Sequence, residues 1–112
     1  MEPKVKIWVE EGGGVALSGY RVRLLQLVAE TGSLAEAARK MGLSYRRAWG
    51  KIREMEENLG ARLVESEPGG SGGGRSRLTA EAEKIVVLYP RFEAAAQADI
   101  RREFDEIFRR HG

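Results

Sequence analysis

A chain of 112 residues with 42% hydrophobic and 32% charged residues has room for one domain with a real core, and little for a second. It has no Cys, and its one His is the penultimate residue, His111, which excludes disulfides, thiol catalysis and ordinary zinc sites. Nineteen Lys and Arg against 17 Asp and Glu leave a net charge of +2, too mild by itself to name a partner.

No apolar run approaches the roughly 18 residues of a membrane span, and no basic segment followed by an apolar stretch marks a signal peptide. A cytoplasmic protein without membrane attachment is expected. The distribution of charge says more than its sum. Arg39, Lys40, Arg46, Arg47, Lys51 and Arg53 fall in a stretch with no acid, and Glu54, Glu56 and Glu57 follow at once. A second acid-free stretch, from Pro68 to Ala80, carries Arg75 and Arg77. Two basic patches around one short acidic run favour a phosphate-facing surface over a merely solvated helix face.

Taken in order, residues 4–10 alternate Val5, Ile7 and Val9 with Lys4, Lys6, Trp8 and Glu10, the period of a half-buried strand. Gly12, Gly13 and Gly14 turn that strand into a short partner at Val15–Leu17. Trp8 falls on the polar side, where another element or a partner chain would cover it. Val22, Leu24, Leu25, Leu27 and Val28 predict a helix over 21–31, stopped by Gly32. Ser33 and Glu36 fit a capping box for a second helix through Met41, ended by Gly42.

Ser44 caps a third helix, from Tyr45 to about Leu59, with Gly60 as its stop. Tyr45, Ala48, Trp49, Ile52, Met55 and Leu59 share one face of it. Trp49 is expected in the core, and Tyr45 at the core edge or on DNA. Gly50 in its interior costs roughly 1 kcal/mol against Ala, either to admit another backbone or as a tolerated defect.

Residues 62–66 read as a strand, a Gly-rich tip follows, and Ser76–Leu78 form the return strand. Thr79 caps a long last helix whose Ile85, Tyr89, Phe92, Ala96, Ile100, Phe104 and Ile107 step by three and four. Pro90 either kinks it or starts a new helix. Beyond Pro90 little of the domain is left to cover this stripe, so a second copy is expected there.

Strand–strand–helix–helix–helix–strand–wing–strand–helix is the order of a winged helix-turn-helix. The expected class is α+β, mainly α, with an N-terminal β-hairpin. Residues 1–78 form the DNA-binding part and 79–112 a dimerisation helix of the same domain. Ala37 and Ala38 allow close helix approach, Gly42 the tight turn, and Leu43 plugs the corner. The first turns of the third helix then present Ser44, Tyr45, Arg46 and Arg47, with Lys51 one turn on, to the major groove. Arg75 and Arg77 on the wing would reach an adjacent minor groove or backbone.

Gly69–Ser76 also fits G-x-x-x-x-G-R-S, near a phosphate-binding loop, but Arg replaces the needed Lys and no βαβ unit surrounds it. The carboxylates lie in mixed-charge helices, where solvated pairing explains them. No enzyme activity and no cofactor is expected.

The segment SYRRAWGKIREMEENLG, the Gly-rich wing and RLTAEAEKI resemble the N-terminal DNA-binding domain of molybdate-responsive ModE regulators. The hairpin containing KIWVE fits the same family. SLAEAARKMGLS and IREMEENLGARLVE are similar, more broadly, to LysR-type winged helices. The resemblance implies a homodimeric regulator of transcription that binds double-stranded DNA, with residues 45–51 in recognition. ModE proteins usually add a C-terminal oxyanion-binding module, and no residues of this chain match one. The expectation is therefore either a stand-alone reader or a piece of a longer chain, in both cases without a molybdate site among these residues. The alternative function is a protein-interaction winged helix binding an acidic partner through the same face.

Overall fold

The computed structural model describes residues 1–67 and 75–111. The element order is β1 (Trp8–Glu11), β2 (Gly14–Ser18), α1 (Gly19–Thr31), α2 (Leu34–Lys40), α3 (Tyr45–Leu59), β3 (Val64–Glu67), β4 (Arg75–Leu78) and α4 (Ala80–His111). The strands form two separate antiparallel hairpins, β1–β2 and β3–β4, set around the three central helices. This is the expected α+β, mainly helical, winged helix-turn-helix. The Gly-rich tip and its phosphate-loop-like pattern, which runs into β4, fall largely outside the described residues.

Caps decide where the helices begin. Ser18, Ser33 and Ser44 have extended backbones, and each hydroxyl accepts from the backbone N–H three residues on, at 3.1 Å. The Ser18 cap starts α1 two residues before its expected start. Only half of the predicted capping box forms. Ser33 accepts from Glu36, but the Ser33 N–H goes to Thr31 Oγ1 at 3.2 Å, while Glu36 is drawn to Arg39 at 2.7 Å. That contact, and then the Arg39 charge, holds the Glu36 carboxyl below its usual range.

The core joins α1, α2 and α3. Leu24, Leu25 and Val28 meet Leu34, Ala37 and Ala38, and then Ala48, Ile52 and Met55, with Leu63, Val64, Leu78 and Ala82 closing the far side. Ala37 and Ala38 let the helices approach closely, as the sequence indicates, and Ala48 adds a third small side chain at the crossing.

Two polar side chains tie the hairpins to α3. Glu56 Oε2 accepts from Leu63 N at 2.8 Å and Val64 N at 3.3 Å, holding the chain as it enters β3. Asn58 Nδ2 donates to Val15 O at 3.1 Å. The β1–β2 turn lies so close that a Cβ on Gly12, whose φ is +67°, would come within 3.1 Å of the Asn58 backbone oxygen, so glycine is needed there for both conformation and approach. Arg21 completes the joint by donating to Val15 O at 3.3 Å and pairing with Glu54 at 3.0 Å.

The N-terminal alternation is real, but the pairing differs from the expected strand at 4–10. Pro3, Val5, Ile7 and Val9 are half-buried and the residues between them exposed, yet cross-strand pairing begins only at Trp8. Residues 3–7 instead run along α4. Gln97 Nε2 donates to Pro3 O at 2.8 Å, Gln97 Oε1 accepts from Val5 N at 3.3 Å, and Tyr89 Oη donates to Ile7 O at 3.1 Å. Arg101 also binds Glu2. Helix side chains thus supply backbone partners that a third strand would otherwise give. Trp8 stays about half exposed, its indole N–H donating to Glu10 at 2.9 Å.

Thr79 caps α4 by accepting from Ala82 N at 3.2 Å. The helix passes through Pro90 without starting anew, which resolves the two sequence options in favour of one element. The first part of α4 packs on α1 and β4, burying Ala82 and Tyr89. At 1.5 Å per residue its 32 residues span about 48 Å, most of the 64 Å longest dimension of the molecule. Removing the Glu56 carboxylate (Glu56→Ala) should destabilise the fold by about 1–3 kcal/mol, because two backbone donors lose their acceptor. Urea unfolding should show the loss as a lower midpoint with little change in slope.

Candidate nucleic-acid interface

Helix α3 has one buried side, formed by Ala48, Ile52 and Met55, each with no exposed surface. At 100° per residue the opposite side centres on Arg46, Gly50 and, at its far end, the exposed Glu57, with Arg47 and Arg53 flanking it. Ser44, Tyr45, Arg46 and Arg47 are all exposed at the start of the helix, where capping and periodicity place them. Among the described residues neither Arg46 nor Arg47 has an acidic partner within salt-bridge distance. Their charge is therefore uncommitted, beside a helix N-terminus whose partial positive charge adds to it.

Lys51 is placed differently from the arginines. It is half-buried, with its ammonium 5.3 Å from the centroid of the Tyr20 ring at the start of α1. Tyr20, not among the sequence candidates, is about half exposed and so widens this surface. A lone Tyr ahead of an amphipathic helix carries no sequence signal for such a contact, since the two residues are 31 positions apart.

Tyr45 and Trp49 are edge to face at 6.4 Å, and the Arg53 guanidinium lies 5.4 Å from the Trp49 ring centroid. Tyr45, Trp49 and Arg53 thus form a continuous ladder at four-residue spacing along one edge of α3. Trp49 packs half-buried against the core, as expected, but its other side belongs to this edge. Tyr45 is 52% exposed and lies at the surface rather than in the core. The four-residue spacing is readable in the sequence, but a charge count alone does not reveal that Arg53 packs on Trp49.

The wing is less cationic than its sequence suggests. Arg75 and Arg77 sit on β4 and are exposed. The register places Glu67 opposite Arg75 and Glu65 opposite Arg77. Arg77 reaches Glu65 at 3.3 Å and Glu67 at 3.6 Å, so both acids across the hairpin share its charge. The stretch from Pro68 to Ala80 is free of acids in sequence but not in space. Ser76 N donates to Gly32 O at 3.0 Å, fixing the base of the wing beside the α1–α2 turn.

A helix-turn-helix core, an exposed cationic third helix and a wing hairpin tied to its side define a winged helix-turn-helix domain. The chain belongs to the lysR family of bacterial regulatory helix-turn-helix proteins, whose pattern matches residues 20–83. It is 41% identical over 86 residues to the molybdenum-pterin-binding protein MopB of Rhodobacter capsulatus, covering 77% of this chain and 32% of that one. It is 39% identical over 69 residues to the DNA-binding transcriptional dual regulator ModE of Escherichia coli (strain K12), covering 62% and 26%. The chain spans a third or less of the length of these relatives. Among solved structures, the CbnR_DBD–DNA complex superposes with a TM-score of 0.58 at 23% identity, covering 79% of this chain and 95% of that one. At that identity the likeness speaks for the fold.

Neutralising both wing acids (Glu65→Gln with Glu67→Gln) should free Arg77 and raise the salt concentration at which the protein leaves a heparin column. Unchanged elution would mean that the pairing does not mask the arginine.

Proposed function

We propose that this domain reads double-stranded DNA in a sequence-specific manner and regulates transcription. The observation that carries the reading is the first two turns of α3: Arg46 and Arg47 exposed and unpaired among the described residues, on a helix held rigidly from behind by Ala48, Ile52 and Met55. The helix would enter the major groove, with Ser44, Tyr45, Arg46 and Arg47 toward base edges and Lys51 toward the backbone. Arg75 and Arg77 would follow the duplex from the wing. The relatives named as transcriptional regulators support this over an acidic protein partner at the same face. The protein acts in the cytoplasm without catalysis, and the proposal assigns residues 1–112 no cofactor and no molybdate site.

The working unit is a homodimer joined through α4. Phe92, Ile100, Ile107 and Phe108 are exposed there, and Phe104 and Phe108 stack at 4.5 Å. A second copy would bury this row and set two α3 helices about 34 Å apart, or at a longer span if the wings splay them. Ile100→Asp with Ile107→Asp should yield a folded monomer in sedimentation, because neither side chain belongs to the buried core.

Selection from a random DNA pool, followed by mobility shifts, tests the function. Arg47→Ala should lose about 1–3 kcal/mol on the selected site and relax the preference at one base position. Arg75→Ala should weaken all duplexes alike and reduce the slope of log K against log salt by about 1. If both variants matched wild type throughout the salt titration, the DNA surface would have to lie elsewhere. No mobility shift at low salt would favour the protein-partner alternative.

A further inference from the structure

Gly50 occupies the middle of a well-formed helix, five residues past its start and nine before its end, where glycine is a poor choice. Such a glycine is usually needed because another backbone presses on it or because its φ is positive. Neither holds within this chain. No non-helical atom lies within 4 Å of a Cβ built at Gly50, and Gly50 is absent from the positive-φ glycines. It is exposed, at the centre of the face opposite Ala48, Ile52 and Met55.

The surroundings indicate what approaches it. Arg46 lies one turn before it, Arg47 three residues before and Arg53 three residues after, so three exposed cations border the bare stretch of helix. Glu54, one turn after it, is engaged by Arg21 at 3.0 Å, and Glu57 lies two turns after it on the same face. A notch without a side chain, with arginines on its N-terminal side and at Arg53, suits a polyanion whose surface comes to van der Waals contact with the helix backbone.

We infer that Gly50 is the point of closest approach between α3 and DNA, and that the missing side chain lets the helix seat deeply enough for Arg46 and Arg47 to reach base edges. This rests on the DNA-reading function proposed above. Gly50 makes no phosphate contact of its own. It acts on depth, so it should affect specific seating and not general attraction to phosphate.

Gly50→Ala and Gly50→Leu separate these effects. The probes are the duplex recovered by selection and a random-sequence duplex of equal length. Gly50→Ala should raise Tm by on the order of 4–6 °C, since Ala favours helix and meets open space. The same variant should bind the selected duplex about tenfold more weakly or worse. Gly50→Leu should lose more, and both should bind the random duplex within about twofold of wild type with an unchanged salt slope. A lower Tm for Gly50→Ala would show that the fold requires the glycine and overturn the inference. So would equal affinity of wild type and Gly50→Ala for the selected duplex, or equal losses on both duplexes. If wild type itself recovers no duplex, the proposed function has failed, a result distinct from failure of the notch alone.

Discussion

Everything outward-facing in this domain depends on the close packing of α3 on α1 and α2 through Ala37, Ala38 and Ala48. Small side chains at these contacts bring the helix axes near one another, and the larger Leu24, Leu25, Ile52 and Met55 fill the space on either side. Enlarging any of the three alanines would push α3 outward and tilt it. A displacement of about 1 Å at the core would move Arg46 and Arg47 by as much, enough to spoil bidentate hydrogen bonds, which tolerate only a few tenths of an ångström. The precision of the cationic face is therefore set in the apolar interior. The polar joints made by Glu56, Asn58 and Arg21 carry that placement into the two hairpins.

The parts of the fold readable from sequence are those fixed by local chemistry. Ser44 and Gly60 bound α3 because a hydroxyl cap and a left-handed glycine act within one turn, and both ends fall where the sequence puts them. The alternation at residues 3–9 was equally plain, since burial of every second side chain leaves the same trace whatever covers it. What covers it was not readable. Gln97 and Tyr89 are more than 80 positions from the backbone groups they satisfy, and nothing in a Gln or Tyr on a helix specifies a partner at that range. The site divides in the same way. Ser44 through Arg47 stand exposed at the start of α3 because helix periodicity and capping place them there, whereas the Tyr20–Lys51 contact depends on how α1 crosses α3.

Charge shows the same limit more sharply. Counting acids along the chain makes the wing cationic, but antiparallel pairing folds Glu65 and Glu67 back onto Arg77 and Arg75. Sequence distance is a poor guide to electrostatic distance in a hairpin, where residues far apart along the chain become direct neighbours. On α3 the count and the structure agree, because a helix keeps sequence neighbours within a turn and the acids that follow Arg53 lie further along the axis. The uncommitted positive charge is thus concentrated on α3, while much of the wing's is internally balanced. Contacts that depend on unscreened cations should therefore be led by the helix.

The N-terminal segment gives α4 a second role. It joins the β1–β2 hairpin to the middle of α4 through backbone hydrogen bonds accepted by Gln97 and donated by Gln97 and Tyr89. The same hairpin is bound to α3 through Val15. Helix α4 and the cationic face are thereby connected by two routes, one through the core at Ala82 and one around the outside through residues 3–18. A helix fixed only at its first turns would swing freely at its far end, and small angular errors would grow along its roughly 48 Å length. Bracing it again near Gln97 shortens the free lever to its last turns. If two copies join through α4, the spacing of their α3 helices is then set by a braced strut, and an otherwise unremarkable strip of alternating Val and Ile contributes directly to the separation at which DNA is read.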